Sequence, residues 1–246
     1  MKILFAGNRQ AGYECLKAID KKDLLGVLTK DEKIKKYCKK YKIECFENKD
    51  QKALIEMAPD IIFSVYYHKI LIPELLNASK TNINFHGGDL PKYGGSYSSI
   101  WAIIDNLKET AVTAHYMADE LDSGDIIKHK SVTISDDETG ETLFNKMSSA
   151  TVELFKEIYK QLTNGEVLEG KSQNGETFLY SRELPNKGEI DWNKSPEEID
   201  RFVRALYFPP FEPAHIIWAD KKFYVYKVRV GKKGVYIEDG RYEMIK

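Results

Sequence analysis

The chain is poor in cysteine. Three residues, Cys15, Cys38 and Cys45, are scattered through 246 positions with no Cys-x-x-Cys spacing. An odd, sparse set of this kind points to neither a disulfide framework nor a zinc site. Long apolar runs are missing as well. The opening KILFAG reads as a strand rather than a leader, and no stretch is long enough to span a bilayer. The expectation is a cytoplasmic protein with no membrane partner. Excess charge is also missing: Lys plus Arg (37) and Asp plus Glu (38) leave −1 at pH 7. That argues against a nucleic-acid partner held through its phosphates, leaving room only for a local basic patch. The Lys-rich stretch KDEKIKKYCKKYK, Lys30 to Lys42, reads as the solvated face of a helix. Two common phosphate signatures are absent. The first glycine loop, GNRQAG (Gly7 to Gly12), is not GxGxxG and lacks a following Lys-Ser/Thr. It supports neither a dinucleotide enzyme nor a nucleotide triphosphatase.

What is present is ordinary globular composition, 42% hydrophobic and 30% charged. The length suits one sizeable domain with a small appendage. Strand-like runs at 2–6, 24–29, 43–46, 60–65 and 81–85 alternate with helical spacing at 10–19, 31–41, 51–57 and 70–76. Asp31 is placed to cap the second helix. A helix beginning at Ser96, two strands at 113–117 and 126–132, and a long amphipathic helix at 139–163 follow. Alternation at this spacing predicts an α/β fold: a doubly wound, Rossmann-like, mainly parallel sheet. After Thr163 the character changes. Residues 165–185 are polar and turn-rich, and Ser195-Pro196 opens a short helix as N-cap and N1. From Ala214 the runs HIIWA, KFYVYKVRV, GVYIEDG and RYEMI read as antiparallel strands. The expected division is a catalytic domain over 1–175, then a linker helix and a small C-terminal β subdomain over 176–246.

Two segments carry chemistry. In NINFHGGDLPKYGGSYSSI (Asn82 to Ile100), Asn84 and His86 lie two apart on a strand, so they project from one face at its carboxyl end. Open α/β sheets place their sites there. Asn offers an amide donor to a carbonyl oxygen, and His an acid or base near neutrality. Gly87, Gly88 and Gly94-Gly95 allow close approach of a ligand, and both side chains are expected at a solvent-facing strand end. A hydrogen-bonded core histidine beside a structural asparagine is the plain alternative. In TAHYMADELDSGDII (Thr113 to Ile127), His115 and Met117 share a face. Asp119, Glu120, Asp122 and Asp125 crowd the following loop. A carboxylate from this loop is placed to orient His86 and favour its charged form. The acids do not follow calcium-loop spacing and no His–Cys cluster accompanies them, so no metal is expected.

Together, NFHGGDLPKYGG and TAHYMADELDSG resemble the folate-dependent formyltransferases in order and distance. The family pattern is Asn-x-His-x-x-x-Leu-Pro-x-Tyr/Phe-x-Gly, then Thr-x-His-x-Met-x-x-x-x-Asp-x-Gly. Gly88-Asp89 replaces the Ser-Leu common after its His-Gly, which touches the donor pocket and none of the catalytic positions. The resemblance implies Asn84, His86 and Asp122 as a catalytic trio, 10-formyltetrahydrofolate as donor and a primary amine as acceptor. The segment GEIDWNKSPEEIDRFVRALYFPPFEPAHI (Gly188 to Ile216) resembles the methionyl-tRNA and sugar-nucleotide branches rather than the glycinamide ribonucleotide one. Only about 30 residues follow Ala214, which favours the sugar-nucleotide branch.

The implied acceptor is a dTDP-linked 4-amino-4,6-dideoxyhexose for surface polysaccharide. The alternatives are 3-amino isomers, UDP-aminoarabinose, methionyl-tRNA, or a silent module that binds folate or a nucleotide sugar. Expected donor contacts are Tyr67, His68, Gly87, Leu90 and Asp119. Expected acceptor contacts are Asn8, Arg9, Tyr66, Lys69, Tyr97 and Phe208. For Asn8 and Arg9, capping of the turn is an equal alternative; for Tyr66, Tyr67, His68 and Phe208 it is packing, and for Lys69 solvent exposure. The apolar terminal strands with an open edge suggest a homodimer.

Overall fold

A computed structural model describes residues 1–174, 178–232 and 234–243. The chain forms two compact units. The first comprises Met1–Gly94, Ala111–Ser131 and Ser148–Thr177; the second comprises Gly95–Thr110, Val132–Met147 and Phe178–Lys246.

The first unit is built on a seven-stranded sheet. Its strands are β1 (Ile3–Gly7), β2 (Leu24–Leu28), β3 (Cys45–Phe46), β4 (Ile61–Val65), β5 (Thr81–His86), β7 (Glu109–Tyr116) and β8 (Ile126–Thr133), with β6 (Gly94–Gly95) a short separate strand. The order is β3-β2-β1-β4-β5-β7-β8. Strands β3 through β5 run parallel, and β7 is antiparallel to β5. The expected doubly wound, mainly parallel sheet is the one observed.

Register decides what each face carries. Phe5 pairs with Phe63 across β1 and β4, and Phe85, two residues beyond the Ile83 that faces Phe63, shares their side of the sheet. Helix α5 (Gly140–Thr163) brings Phe155 onto all three, at ring-centroid distances of 5.1 to 6.3 Å. Phe155 is fully buried, so its truncation to Ala removes a shared contact costing about 3–5 kcal/mol. The opposite face presents Leu4, Ala6 and Ile62 to a second apolar cluster with Leu54, Leu71 and Leu75. Asn84 pairs in register with Ser64, which pairs with Ala6, so Asn84 and His86 project from this second face.

Helix α1 (Arg9–Ala18) follows β1, and α2 (Glu32–Tyr41) follows β2. Asp31 caps α2 as expected, accepting from the amides of Lys33 and Ile34. Two expected helices are altered. The segment at 51–57 belongs to a longer run of 3₁₀ turns, Asn48–Met57. The segment at 70–76 begins only at Pro73, giving α3 (Pro73–Asn77). Proline disfavours helical geometry in the residue before it, and the Gln51 side chain clamps the Ile70 carbonyl and the Ile72 amide.

In the second unit, α4 (Ser98–Ile104) follows Tyr97, which has a left-handed φ of 63°. A short strand β9 (Leu179–Tyr180) brings the Tyr180 ring onto Trp101, stacked at 4.5 Å. Helix α6 (Pro196–Leu206) starts on Ser195, which forms a reciprocal capping box with Glu198. Gly140 lies so close to the Ala205 carbonyl that a Cβ there would overlap it. The C-terminal sheet is antiparallel, in the order β10 (His215–Trp218), β11 (Lys221–Gly231) and β12 (Gly234–Glu243). The expected GVYIEDG and RYEMI runs join into the single strand β12; Met244 and Ile245 of the latter lie outside the described residues. No helix among the described residues is long and apolar enough to cross a membrane.

Candidate active site

The site sits in the first unit where β5 ends between β4 and β7. Asn84 lies directly opposite His115 in the antiparallel β5–β7 register, so the two side chains share a face. Asn84 Nδ2 is 3.0 Å from His115 Nε2, and His115 Nδ1 is 2.7 Å from the Tyr116 carbonyl. A carbonyl oxygen only accepts, so the His115 hydrogen resides on Nδ1. Its Nε2 then accepts from the Asn84 amide. This fixes which end of the amide carries nitrogen and leaves the second N–H on that nitrogen for another acceptor.

His86 is held by similar logic. Its Nε2 is 2.7 Å from the Tyr93 carbonyl, to which it donates. Its Nδ1 is 3.5 Å from Asp122 Oδ2, and the other oxygen of that carboxylate is 3.6 Å from His115 Nε2. One carboxylate therefore stands between two imidazoles. His86 is 8% exposed, His115 2% and Asp122 6%. The expectation of a solvent-facing His86 is corrected here: the Gly87–Tyr93 loop folds back and covers the ring with its own carbonyl.

Buried polar contacts shape both loops. Thr113 Oγ1 donates to the Gly88 carbonyl at 2.7 Å and accepts from the Leu90 amide at 3.2 Å. The Leu90-Pro91 peptide is cis. Asp122 itself adopts φ 55°, and Gly124 packs so closely on the Tyr116 carbonyl that any Cβ would overlap it. Gln173 Nε2 donates to the Asp122 and Gly124 carbonyls, both at 2.7 Å. Thr113 opens the TAHYM stretch, so a sequence signal for it existed. Gln173 lies in a polar, turn-rich segment and had none. Among the described residues no group of three or more His, Cys, Asp or Glu is arranged to hold a metal ion.

Comparison with known proteins bears on this geometry. Residues 8–158 match the formyl transferase family, and residues 184–245 match the formyl transferase C-terminal domain. The chain belongs to the formyl transferase family. The GDP-perosamine N-formyltransferase of Brucella melitensis is 35% identical over 168 residues, which is 68% of this chain and 64% of that protein. The chain thus aligns with slightly under two thirds of this relative's length. Among solved structures, an N-formyltransferase from Helicobacter canadensis, in complex with folinic acid and dTDP-3-aminofucose, matches with a TM-score of 0.79. It is 23% identical, with 94% of this chain and 88% of that chain covered. A 4-N formyltransferase from Francisella tularensis matches with a TM-score of 0.74 at 21% identity, covering 100% and 97%. At these identities the two structures show a shared fold.

The remaining expected site residues of this formyl transferase chain fall into separate groups. Asn8, Tyr66 and His68 meet where β1 and β4 end side by side. Asn8 is 4% exposed, and its amide is spent within the protein. Its Nδ2 reaches the Tyr66 carbonyl and His68 Nδ1 at 3.4 and 3.1 Å, and its Oδ1 accepts from Thr29 and the Lys30 amide. It braces three loops rather than facing outward. Tyr66 has φ 49°, and its ring lies where a Cβ on Gly87 would sit. Burial raises its phenol pKa. Tyr67 packs on the Leu71–Leu75 cluster, and burial pushes its phenol up to about 12. The Leu90 side chain is buried, whereas Arg9, Lys69 and Asp119 are exposed. In the second unit, Tyr97 is 39% exposed, and Phe208 packs between Phe144 and Phe211 at 5.2 and 5.3 Å.

Proposed function

We propose that the chain transfers a formyl group from 10-formyltetrahydrofolate to the amine of a nucleotide-linked amino sugar. Residues 1–175 carry the chemistry. The observation that carries this reading is the convergence of Asn84, His86 and Asp122 at the end of β5.

The donor set suits an acyl oxygen. As the neutral amine attacks the formyl carbon, the formyl oxygen gains negative charge. The second N–H of Asn84 donates to it, while His115 holds the first. For the Nε2 hydrogen of His86 to serve the same oxygen, it exchanges the Tyr93 carbonyl for the ligand's oxygen. Asp122 orients His86 and takes up the proton that the amine sheds as the new C–N bond forms. As the oxygen's charge returns to re-form the carbonyl, the bond between the formyl carbon and the donor nitrogen breaks. That nitrogen takes the proton held by Asp122 and leaves as tetrahydrofolate, restoring the carboxylate. The folate is a co-substrate in this scheme.

The sequence favours a dTDP-linked 4-amino-4,6-dideoxyhexose as acceptor. A GDP-linked amino sugar is the second reading, because a 35%-identical relative carries the name GDP-perosamine N-formyltransferase. A homodimer in solution is part of the same proposal. The test is mass spectrometry of enzyme with 10-formyltetrahydrofolate and a panel of acceptors. The panel holds dTDP-linked 4-amino and 3-amino dideoxysugars, GDP-perosamine, UDP-aminoarabinose and glycinamide ribonucleotide. A formyl mass gain on one sugar nucleotide supports the proposal and names the acceptor. A gain on glycinamide ribonucleotide alone, or on nothing while folate binds, overturns it.

A further inference from the structure

We propose that the groove between α1 and α2 is a second binding site, one that takes a nucleoside di- or triphosphate. It shares no residue with the cluster at the end of β5. The groove has a volume of about 310 Å³ and is lined by Tyr13 and Lys17 from α1 and by Lys33, Lys36, Tyr37, Lys40 and Tyr41 from α2. The helical repeat produces this set: 13 and 17 are one turn apart, and 33, 36/37 and 40/41 recur every three to four residues. Ile34 and Cys38, on the inner side of α2, are buried in the protein.

Every lining residue is a lysine or a tyrosine. Lys17 is paired with Glu14 at 2.9 Å, and Lys33 donates to Gln10 Oε1 at 2.7 Å. Among the described residues no carboxylate lies within ion-pair distance of Lys33, Lys36 or Lys40. On a chain of net charge −1, such segregation makes a local positive field. Lys35, on the same helix but outside the groove, is by contrast neutralised by Glu32 at 3.0 Å.

The tyrosines give the groove a second chemistry. Tyr13 and Tyr37 pack edge to face at 5.7 Å, and Tyr37 and Tyr41 lie tilted at 4.7 Å. Lys33 stands 4.2 Å from the Tyr13 ring centre, and Lys21 and Lys40 stand 4.6 and 5.2 Å from that of Tyr41. Tyr41 remains 42% exposed. Ring faces bordered by unpaired ammonium groups suit a planar base joined to a chain of phosphates: the base stacks and the phosphates draw the lysines. Neither half alone selects that ligand.

The test is titration of the ¹⁵N-labelled protein with dTDP, inorganic tripolyphosphate and a ten-residue oligothymidylate, read at backbone amides of α1 and α2. The expected result is that dTDP shifts amides near Tyr13, Tyr37 and Tyr41. Lys36→Glu with Lys40→Glu should weaken this binding by roughly tenfold or more, the effect of losing one charge-assisted hydrogen bond. The same pair should leave formyl transfer unchanged. Tyr41→Ala should weaken dTDP but not tripolyphosphate. Silent α1 and α2 amides overturn the proposal. So does tripolyphosphate binding as tightly as dTDP, because the rings then contribute nothing. Tighter binding of the oligonucleotide also overturns it and makes the groove a nucleic-acid surface. The readout sits on α1 and α2, so it stands or falls separately from the transfer reaction.

Discussion

The Asn84 amide nitrogen and His115 Nε2 are 3.0 Å apart, and the Tyr116 carbonyl decides the direction of that bond. With its hydrogen on Nδ1, His115 accepts, and Asn84 is held nitrogen-first. His115 therefore positions the amide that the proposed reaction uses. Replacing His115 with Leu removes the acceptor and lets the amide turn. kcat should fall roughly 10- to 100-fold, part of the loss seen when an oxyanion donor is deleted outright. KM for the proposed amino-sugar acceptor should change little. His115→Gln, which retains an acceptor oxygen, should recover part of kcat. Steady-state kinetics of the two variants check this, and equal losses in both would sink the positioning role.

Removing Asn84 or His86 is more severe, and the two differ in what else they disturb. Asn84→Ala should lower kcat roughly 10²- to 10³-fold. His86→Ala also strips the Tyr93 carbonyl of its donor in a buried place, a loss of about 1–3 kcal/mol of stability. His86→Asn is the cleaner variant, since its amide can still donate. Kinetics paired with thermal unfolding separates the effects. Near-normal turnover in either Asn84→Ala or His86→Asn would remove them from the proposed chemistry.

The loop that delivers Asp122 depends on contacts far from it in sequence. Gly124 has no room for a Cβ against the Tyr116 carbonyl, and Gln173 satisfies two buried carbonyls of the loop. Gln173→Leu leaves both without that donor and should lower stability by about 1–3 kcal/mol. Activity should fall more than stability explains, because Asp122 loses its brace. Gly124→Ala should reduce both more strongly. A Gln173→Leu enzyme with wild-type kcat at a temperature where it is fully folded would show that the brace is only structural.

These contacts mark the division between what was legible in the sequence and what was not. Features set by near neighbours were readable. Asp31 caps α2 through amides two and three residues on, and Ser195-Pro196 opens α6 with Glu198 three residues away. The projection of Asn84 and His86 to one face followed from strand geometry, and the β5 register agrees with it. Features set by distant partners were hidden. Asn8 looked equally able to meet a ligand, but Thr29, Tyr66 and His68 absorb its amide from two other loops. His86 looked exposed because nothing in NFHGG shows that the Tyr93 carbonyl will return to it. Gln173 carries no pattern, since its two acceptors lie some fifty residues earlier.

Acid sensitivity of the second unit should centre on His215. Its side chain is buried at the start of β10, and burial, with Lys222 adding in the same sense, lowers its pKa from the ordinary 6.5. The folded state therefore resists protonation that the unfolded chain accepts. With more protons bound unfolded than folded, stability rises with pH through this range. The contribution is complete above the unfolded value and is lost as pH falls through the folded one. Between about pH 7 and pH 5.5, where most carboxylates stay ionised, Tm should drop as pH falls. His215→Gln should flatten that slope while lowering Tm at pH 7, because Gln fills the site less well. Thermal unfolding of both proteins across this window provides the check. Parallel slopes would mean that His215 is protonated as readily in the folded chain as in the unfolded one.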